Sequence, residues 1–131
     1  MNDALRTRFD RLLDDVIAEL PDELKKLLEE VPLVVDDVPS TEIIKQLGQR
    51  DVRGLCGLYT GLPLTERTVW RWGQLPDKLR MFRQGVVNAA TDSQGHLSDE
   101  NLERQIRITV LHEMGHHFGL NEDDLRQLGY Q

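Results

Sequence analysis

One cysteine, Cys56, stands in the whole of the 131-residue sequence. Without a second thiol an intramolecular disulfide is excluded, and with it the class of small secreted domains stapled by bridges. Long apolar runs are missing as well. No stretch approaches the roughly 18 residues that a membrane-spanning helix needs. The opening MNDALRTRFD mixes charges where a signal peptide would be apolar. The expectation is a cytoplasmic chain with no membrane contact. Positive charge is in deficit, with 16 Lys and Arg against 23 Asp and Glu and a formal net charge of -7. Such a balance repels a phosphate backbone unless basic residues segregate into a patch. Arg50, Arg53, Arg67, Arg71, Arg80 and Arg83 are instead spread through the middle of the chain, so nucleic acid is not an expected partner.

What is present fits one domain spanning residues 1–131. Apolar residues at Leu5, Phe9, Leu12, Leu13, Val16, Ile17 and Leu20 recur at helical spacing and predict an amphipathic helix that ends at Pro21. A short helix is expected over Asp22 to Glu30, with Leu24, Leu27 and Leu28 inward and Pro32 as its stop. The β-branched segment VPLVVDDVP predicts a strand. Ser40 can cap a helix through Leu47 that Gly48 closes. The segment GLCGLYTGLPL predicts two strands joined at Thr60-Gly61, and a further strand is expected over Lys78 to Phe82. Thr91 to His96 reads as a loop.

The chemistry concentrates near the C-terminal end. Leu97-Ser98-Asp99-Glu100 is a helix start in which Ser98 caps and Leu97 reaches Leu102, and Gly119 supplies the stop. At about 100° per residue, Asn101, Gln105, Thr109, His112 and His116 fall in one stripe of the intervening helix. Ile106, Val110, Leu111, Met114 and Phe118 cover most of the rest, which predicts a largely buried helix with one polar groove.

His112 and His116 project from successive turns on one side and can converge on one ion. Glu113 is rotated off that direction, away from the ion but within reach of a water beside it. This HExxH spacing is the arrangement in which Zn²⁺ acidifies a water and a glutamate takes its proton as the water attacks a carbonyl. A catalytic zinc normally has three protein ligands. Glu122 stands ten residues beyond His112, in the register of the longer pattern HExxHxxGxxH, here HEMGHHFGLNE. Glu122 is therefore the expected third ligand, with Asp123 in reserve. His117 points about 100° away from His116 and is assigned to packing or to supporting the ligands from behind, and His96 to an exposed loop.

The sequence resembles the minimal zincins, small bacterial metallopeptidase-like domains. The resemblance is carried by ELPDEL, VPLVVDDVPS, GLCGLYTGLPLTER, LPDKLRMFRQ and RITVLHEMGHHFGL, followed by an acidic turn and LRQLG, in that order over most of the chain. The family usually has an aspartate where this chain has Glu122. The resemblance implies an α+β fold: a small twisted mixed sheet packed against the central HExxH helix and completed by N-terminal helices. It also implies a zinc-dependent peptidase acting on a peptide or protein, with Glu113 as base. In zincins the substrate adds to an edge strand, and here either the hairpin around Gly57 to Leu64 or the Lys78 to Phe82 strand is available for that.

Only nine residues follow Glu122, and the methionines are Met1, Met81 and Met114, so a metzincin-type Met-turn is not expected. The expected cleft is open on one side, where a protein partner could complete it. Tyr59, Tyr130 and an arginine are the candidates for stabilising an oxyanion. The alternative to catalysis is a metal-stabilised peptide- or protein-binding module. Glu113 argues against it, because a purely structural zinc has no use for a base beside its ligands.

Overall fold

A computed structural model describes residues 1–48, 53–60 and 78–127. The first helix, α1, runs Asp3–Glu19, its start held by Asn2, whose side-chain oxygen accepts from the Leu5 amide at 2.8 Å. Phe9, Leu12, Leu13 and Val16 recur at intervals of three and four and form its buried stripe. Pro21 then ends it and starts α2, Asp22–Glu30, which buries Leu24. Strand β1, Leu33–Asp36, follows. Helix α3, Thr41–Leu47, is capped by Ser40 and closed by Gly48 at φ 76°, a backbone angle that favours glycine.

Strands β2, Gly57–Thr60, and β3, Lys78–Phe82, complete a three-stranded sheet in the order β1-β3-β2. The sheet is mixed. Val35 of β1 stands opposite Met81 in a parallel pair, and Gly57 of β2 stands opposite the same Met81 in an antiparallel one. Contrary to the expectation that it could receive a substrate, Lys78–Phe82 is the central strand, bonded on both sides, and offers no edge. The Thr60-Gly61 turn and its expected second strand extend into residues outside those described.

Directly after β3 the chain enters α4, Arg83–Ala90, then the Thr91 to His96 loop. In that loop the Asp92 carboxylate accepts from the amides of Gln94 and His96, both at 2.9 Å, and His96 is exposed as expected. Helix α5, Asp99–Phe118, packs against α1, α4, β2 and β3 at once, which is why it buries residues nearly all round. One core joins them, with Phe9, Val16, Leu24, Leu79, Met81, Leu102, Ile106 and Met114 among its members. A last short helix, α6, spans Glu122–Gln127.

Ion pairs tie α1 to the start of α4. The Arg83 guanidinium donates to both oxygens of Asp10, at 2.9 and 3.1 Å, and to Asp37 at 3.0 Å, while lying over the Phe9 ring. Arg6 holds the other Asp37 oxygen at 2.6 Å, and these pairings keep the Asp37 carboxyl below the usual carboxylate range. Arg80 faces Asp36. Two of the mid-chain arginines are thus spent on internal acids. No helix among the described residues is long and apolar enough to cross a membrane.

Candidate metal centre

The site is built on the last two turns of α5. Ser98 caps the helix by accepting from the Asn101 amide at 3.0 Å, and Leu97, half-buried, packs against the core of which Leu102 is a member. At the far end Gly119 takes the left-handed conformation, φ 67° and ψ 25°, and the Leu120 amide closes on the Gly115 carbonyl at 2.8 Å. Between these fixed ends, residues four apart share a face, and the structure brings His112 and His116 together with ring centroids 4.4 Å apart. Both rings are exposed on the cleft side.

Glu113 joins them from the buried side. Ligating atoms of His112, Glu113 and His116 all lie within 4.8 Å of one another, and His116 Nδ1 is 3.5 Å from Glu113 Oε2. One step around the helix from His112 turns Glu113 toward β2, where Gly57 leaves room for it. A Cβ at Gly57 would sit 3.0 Å from the Glu113 Cγ, the Thr109 Cγ2 and the Arg80 carbonyl oxygen. The glycine is what allows strand and helix to approach this closely.

The β2 register shows how the strand meets the carboxylate. The Phe82 amide donates to the Cys56 carbonyl at 2.8 Å, so in the antiparallel ladder Cys56, Leu58 and Thr60 turn their peptide groups toward β3. Gly57 and Tyr59 turn theirs to the opposite edge, and the Tyr59 amide donates to the Glu113 carboxylate. The Oε2 atom is buried without a hydrogen-bond partner among the described residues. Desolvation pushes Glu113 up to about 7, against the opposing pull of His112 and of the Tyr59 amide.

This donor set suits a cation. Two imidazoles on one helix face, beside a buried carboxylate with an unsatisfied oxygen, are the ligand types that zinc takes, and the orphaned Oε2 is the kind of atom that a bound ion or its water would satisfy. The structure places the expected third ligand, Glu122, at the start of α6, just past the Gly119 turn, but its side chain is outside the described part. The neighbouring acids are described. Asp124 is taken up in a reciprocal cap with Asn121, each side chain accepting the other's amide at 2.8 and 2.9 Å. The exposed Asp123 faces Arg126 at 3.6 Å. His117 is buried edge-on to Tyr59 and to Phe118, with centroids at 5.1 and 4.2 Å, in keeping with a packing role. The Tyr59 ring is thereby committed to His117, and Tyr130 lies outside the described residues.

The cleft has two lobes that share Leu55, Gly57, His112 and Glu113. One, about 530 Å³, runs along Leu58 and Tyr59 to His116. The other, about 280 Å³, runs past Cys56 and Thr109 to Gln105 and Ile108. Sequence reasoning missed Leu55, Cys56 and Ile108 as lining residues, and it missed the contacts of Gly57 and Tyr59 with the base. A glycine inside an alternating strand was the one available signal of close backbone approach.

No curated protein matches the chain. A family model described as zincin-like metallopeptidase matches residues 28–130, which takes in β1, β2, β3 and the whole of α5. With the HExxH helix packed beneath a small mixed sheet and its two histidines and glutamate gathered at one point, the chain belongs to the zincin-like metallopeptidase family.

Proposed function

We propose that this protein is a zinc-dependent peptidase in which His112, His116 and Glu122 hold the metal and Glu113 is the general base. The observation that carries the reading is the gathering of His112, Glu113 and His116 beneath the outer edge of β2, with Glu113 Oε2 buried and unsatisfied. Zn²⁺ bound there would supply a Lewis acid for the scissile carbonyl and bring the pKa of a water down to about 7.

The chain's own residues do the rest. Among the described residues no strand pairs with the outer edge of β2, where the peptide groups of Gly57 point and an extended peptide can add as a further strand. Glu113 is oriented by the Tyr59 amide; burial raises it to about 7 in the metal-free protein, and a nearby dication favours its ionised form, the one that takes a proton from water. Oε2, the oxygen with no hydrogen-bond donor among the described residues, accepts the proton from the attacking water and then delivers it to the leaving amide nitrogen. A carboxylate fixed through one contact and unsatisfied at the other oxygen is suited to that shuttle. A peptide or protein is the proposed substrate, and a protein partner that completes the open side of the cleft belongs to the same reading.

The test uses zinc-loaded protein and its Glu113→Gln variant on a mixed peptide library, read by mass spectrometry. Both should bind zinc, while hydrolysis falls by about 10²- to 10⁴-fold in the variant. Identical behaviour of the two proteins, with no cleavage by either, would establish a metal-stabilised binding module instead. Undiminished cleavage by Glu113→Gln would remove Glu113 from the mechanism.

A further inference from the structure

The string HEMGHH sends two pairs of side chains out of α5 at the same four-residue interval. His112 and His116 are exposed on the cleft side, while Glu113 and His117, each one position further along, are buried. Both members of the buried pair reach Tyr59. Glu113 accepts from its amide, and His117 lies edge-on to its ring, with centroids 5.1 Å apart and planes at 65°. One residue of β2 is thus held at its backbone by the base and at its side chain by the residue one helical turn beyond.

The spacings of strand and helix explain how both contacts are made at once. Gly57 and Tyr59 turn the same face of β2 to α5, about 6.6–6.8 Å apart along the strand. Glu113 and His117 are separated by a rise of about 6 Å along the helix. The intervals nearly match, so Gly57 sits on Thr109 and Glu113 while Tyr59 sits on His117. At Gly57 the strand comes close to the helix but has no side chain to interlock with it. The pairing of Leu58 with Arg80 fixes β2 against β3, on the other side of the strand. On the α5 face the Tyr59 ring is therefore the side chain that sets where β2 lies along the helix, and His117 is the buried surface that it meets.

We infer that His117 is a positioning residue for the base: by pinning the Tyr59 ring it keeps the Tyr59 amide on one oxygen of Glu113, which leaves Oε2 facing His116 Nδ1 at 3.5 Å. The catalytic consequence rests on the peptidase reading, whereas the contact can be measured without turnover. Truncation of His117 opens a cavity into which the Tyr59 ring tilts. The amide then follows the ring and exchanges the carboxylate for water, and Glu113 loses its orientation. A displacement of about 1 Å is enough to cost a reacting group up to about 10²-fold in rate.

The experiment measures amide hydrogen exchange by NMR in zinc-loaded wild type, His117→Ala, His117→Phe and Tyr59→Ala, with zinc content and peptide-library cleavage read on the same samples. His117→Ala should keep its zinc and lower the protection factor of the residue 59 amide by about tenfold or more. The amides of Leu58 and Arg80, bonded across the ladder, should stay as protected as in wild type. His117→Phe keeps an aromatic edge and should restore most of the protection. Tyr59→Ala keeps the amide and removes the ring, so it should match His117→Ala, and the double variant should be no worse than either. Cleavage by His117→Ala should fall about 10- to 10²-fold, through kcat, and recover in His117→Phe. Unchanged protection at residue 59 in His117→Ala overturns the inference, as does equal loss at Leu58 and Arg80, which marks general loosening. Loss of zinc from His117→Ala overturns it too, by placing His117 behind the ligands instead. If His117→Ala does not fold, the remaining pair decides: protection kept in His117→Phe and lost at residue 59 alone in Tyr59→Ala upholds the inference, and any other pattern overturns it. If wild type cleaves nothing while the exchange pattern holds, the peptidase reading falls and the positioning stands. If cleavage falls while the residue 59 amide stays protected, the positioning falls and the peptidase stands.

Discussion

Gly57 and Glu113 touch so closely that the strand residue could not carry even a methyl group without moving the helix residue: a Cβ on Gly57 would lie 3.0 Å from the Glu113 Cγ. The same added atom would meet the Arg80 carbonyl and the Thr109 methyl at 3.0 Å, so three sides of the position are closed. Gly57→Ala should therefore destabilise the protein by about 1–3 kcal/mol and displace the carboxylate, lowering hydrolysis more than zinc content. Gly85→Ala should be worse, because its Cβ would sit 2.0 Å from the Leu55 carbonyl oxygen, which is backbone. Gly54→Ala, with nothing within 4 Å, should be close to silent. Urea denaturation of the three variants gives the ranking, and equal stability of all three would contradict the packing described.

Metal content separates the ligands. His112→Ala and His116→Ala should each abolish binding of about one Zn²⁺ per chain, because each removes one of the three proposed ligands. Glu122→Ala should weaken binding less completely, since Asp123 stands one residue away and could be recruited from its contact with Arg126. Elemental analysis of the purified variants decides the matter. Retention of zinc at the wild-type level in both histidine variants would rule out the constellation.

Stripping the metal should also lower the melting temperature. The α5–α6 corner is held by the Gly119 turn and by the reciprocal cap of Asn121 and Asp124, which are short local contacts. Binding energy available only in the folded state adds directly to stability. A zinc-loaded sample whose melting is unchanged by chelator would show that zinc does not brace this corner.

The parts of the fold governed by local pattern could be read from the sequence. Ser40 and Ser98 are followed by apolar periodicity and do cap α3 and α5, while Pro21 separates α1 from α2. The donors His112 and His116 follow from helical spacing alone. Helix α4 could not be read, because RQGVVNAA has no capping side chain at Phe82 and begins directly from a strand. The parallel pairing of β1 with β3 joins segments more than forty residues apart, and nothing local in either segment specifies it. For the same reason the burial of Glu113 was hidden. Its neighbours Gly57 and Tyr59 are remote in sequence, and their register comes from β3. The single-residue step from His112 to Glu113 gave the direction of the side chain, but not the strand it would meet.

Acid should loosen the α1–α4 junction through Asp37. The Arg6 hydrogen bond is the main cause of its low pKa, opposed by desolvation and assisted by Arg83. A carboxyl whose folded pKa lies below its unfolded value stabilises the fold above the unfolded value, about 4, and the contribution is lost as pH falls through the folded value. Asp37→Asn should cost about 1–2 kcal/mol at neutral pH and flatten the decline of stability below about pH 4. Arg83→Ala, which leaves Asp10 and Asp37 facing each other without their shared cation, should cost more. Thermal melts across the acid range measure both, and an Asp37→Asn variant with an unchanged acid limb would show that the decline originates elsewhere.

Glu113 works in the opposite direction, and its sign tells apart a residue kept for chemistry from one kept for stability. Its folded pKa, about 7, lies above its ordinary 4.5, so the folded metal-free protein binds this proton more tightly than the unfolded chain does. Stability from this group is full below the ordinary value, declines as pH rises through about 7, and is then lost completely. The penalty at alkaline pH is of order 2–3 kcal/mol. Glu113→Gln carries no charge at any pH and keeps the shape, so chelated Glu113→Gln should be more stable than chelated wild type at about pH 8 and similar to it at about pH 4. Zinc should narrow the gap at pH 8, because a nearby dication favours the ionised carboxylate of wild type and does nothing for the amide. Urea denaturation at the two pH values, with and without zinc, gives the four numbers required. If the chelated variant gains nothing at alkaline pH, the carboxylate is solvated well enough to ionise freely, and the buried, poised base described here is wrong.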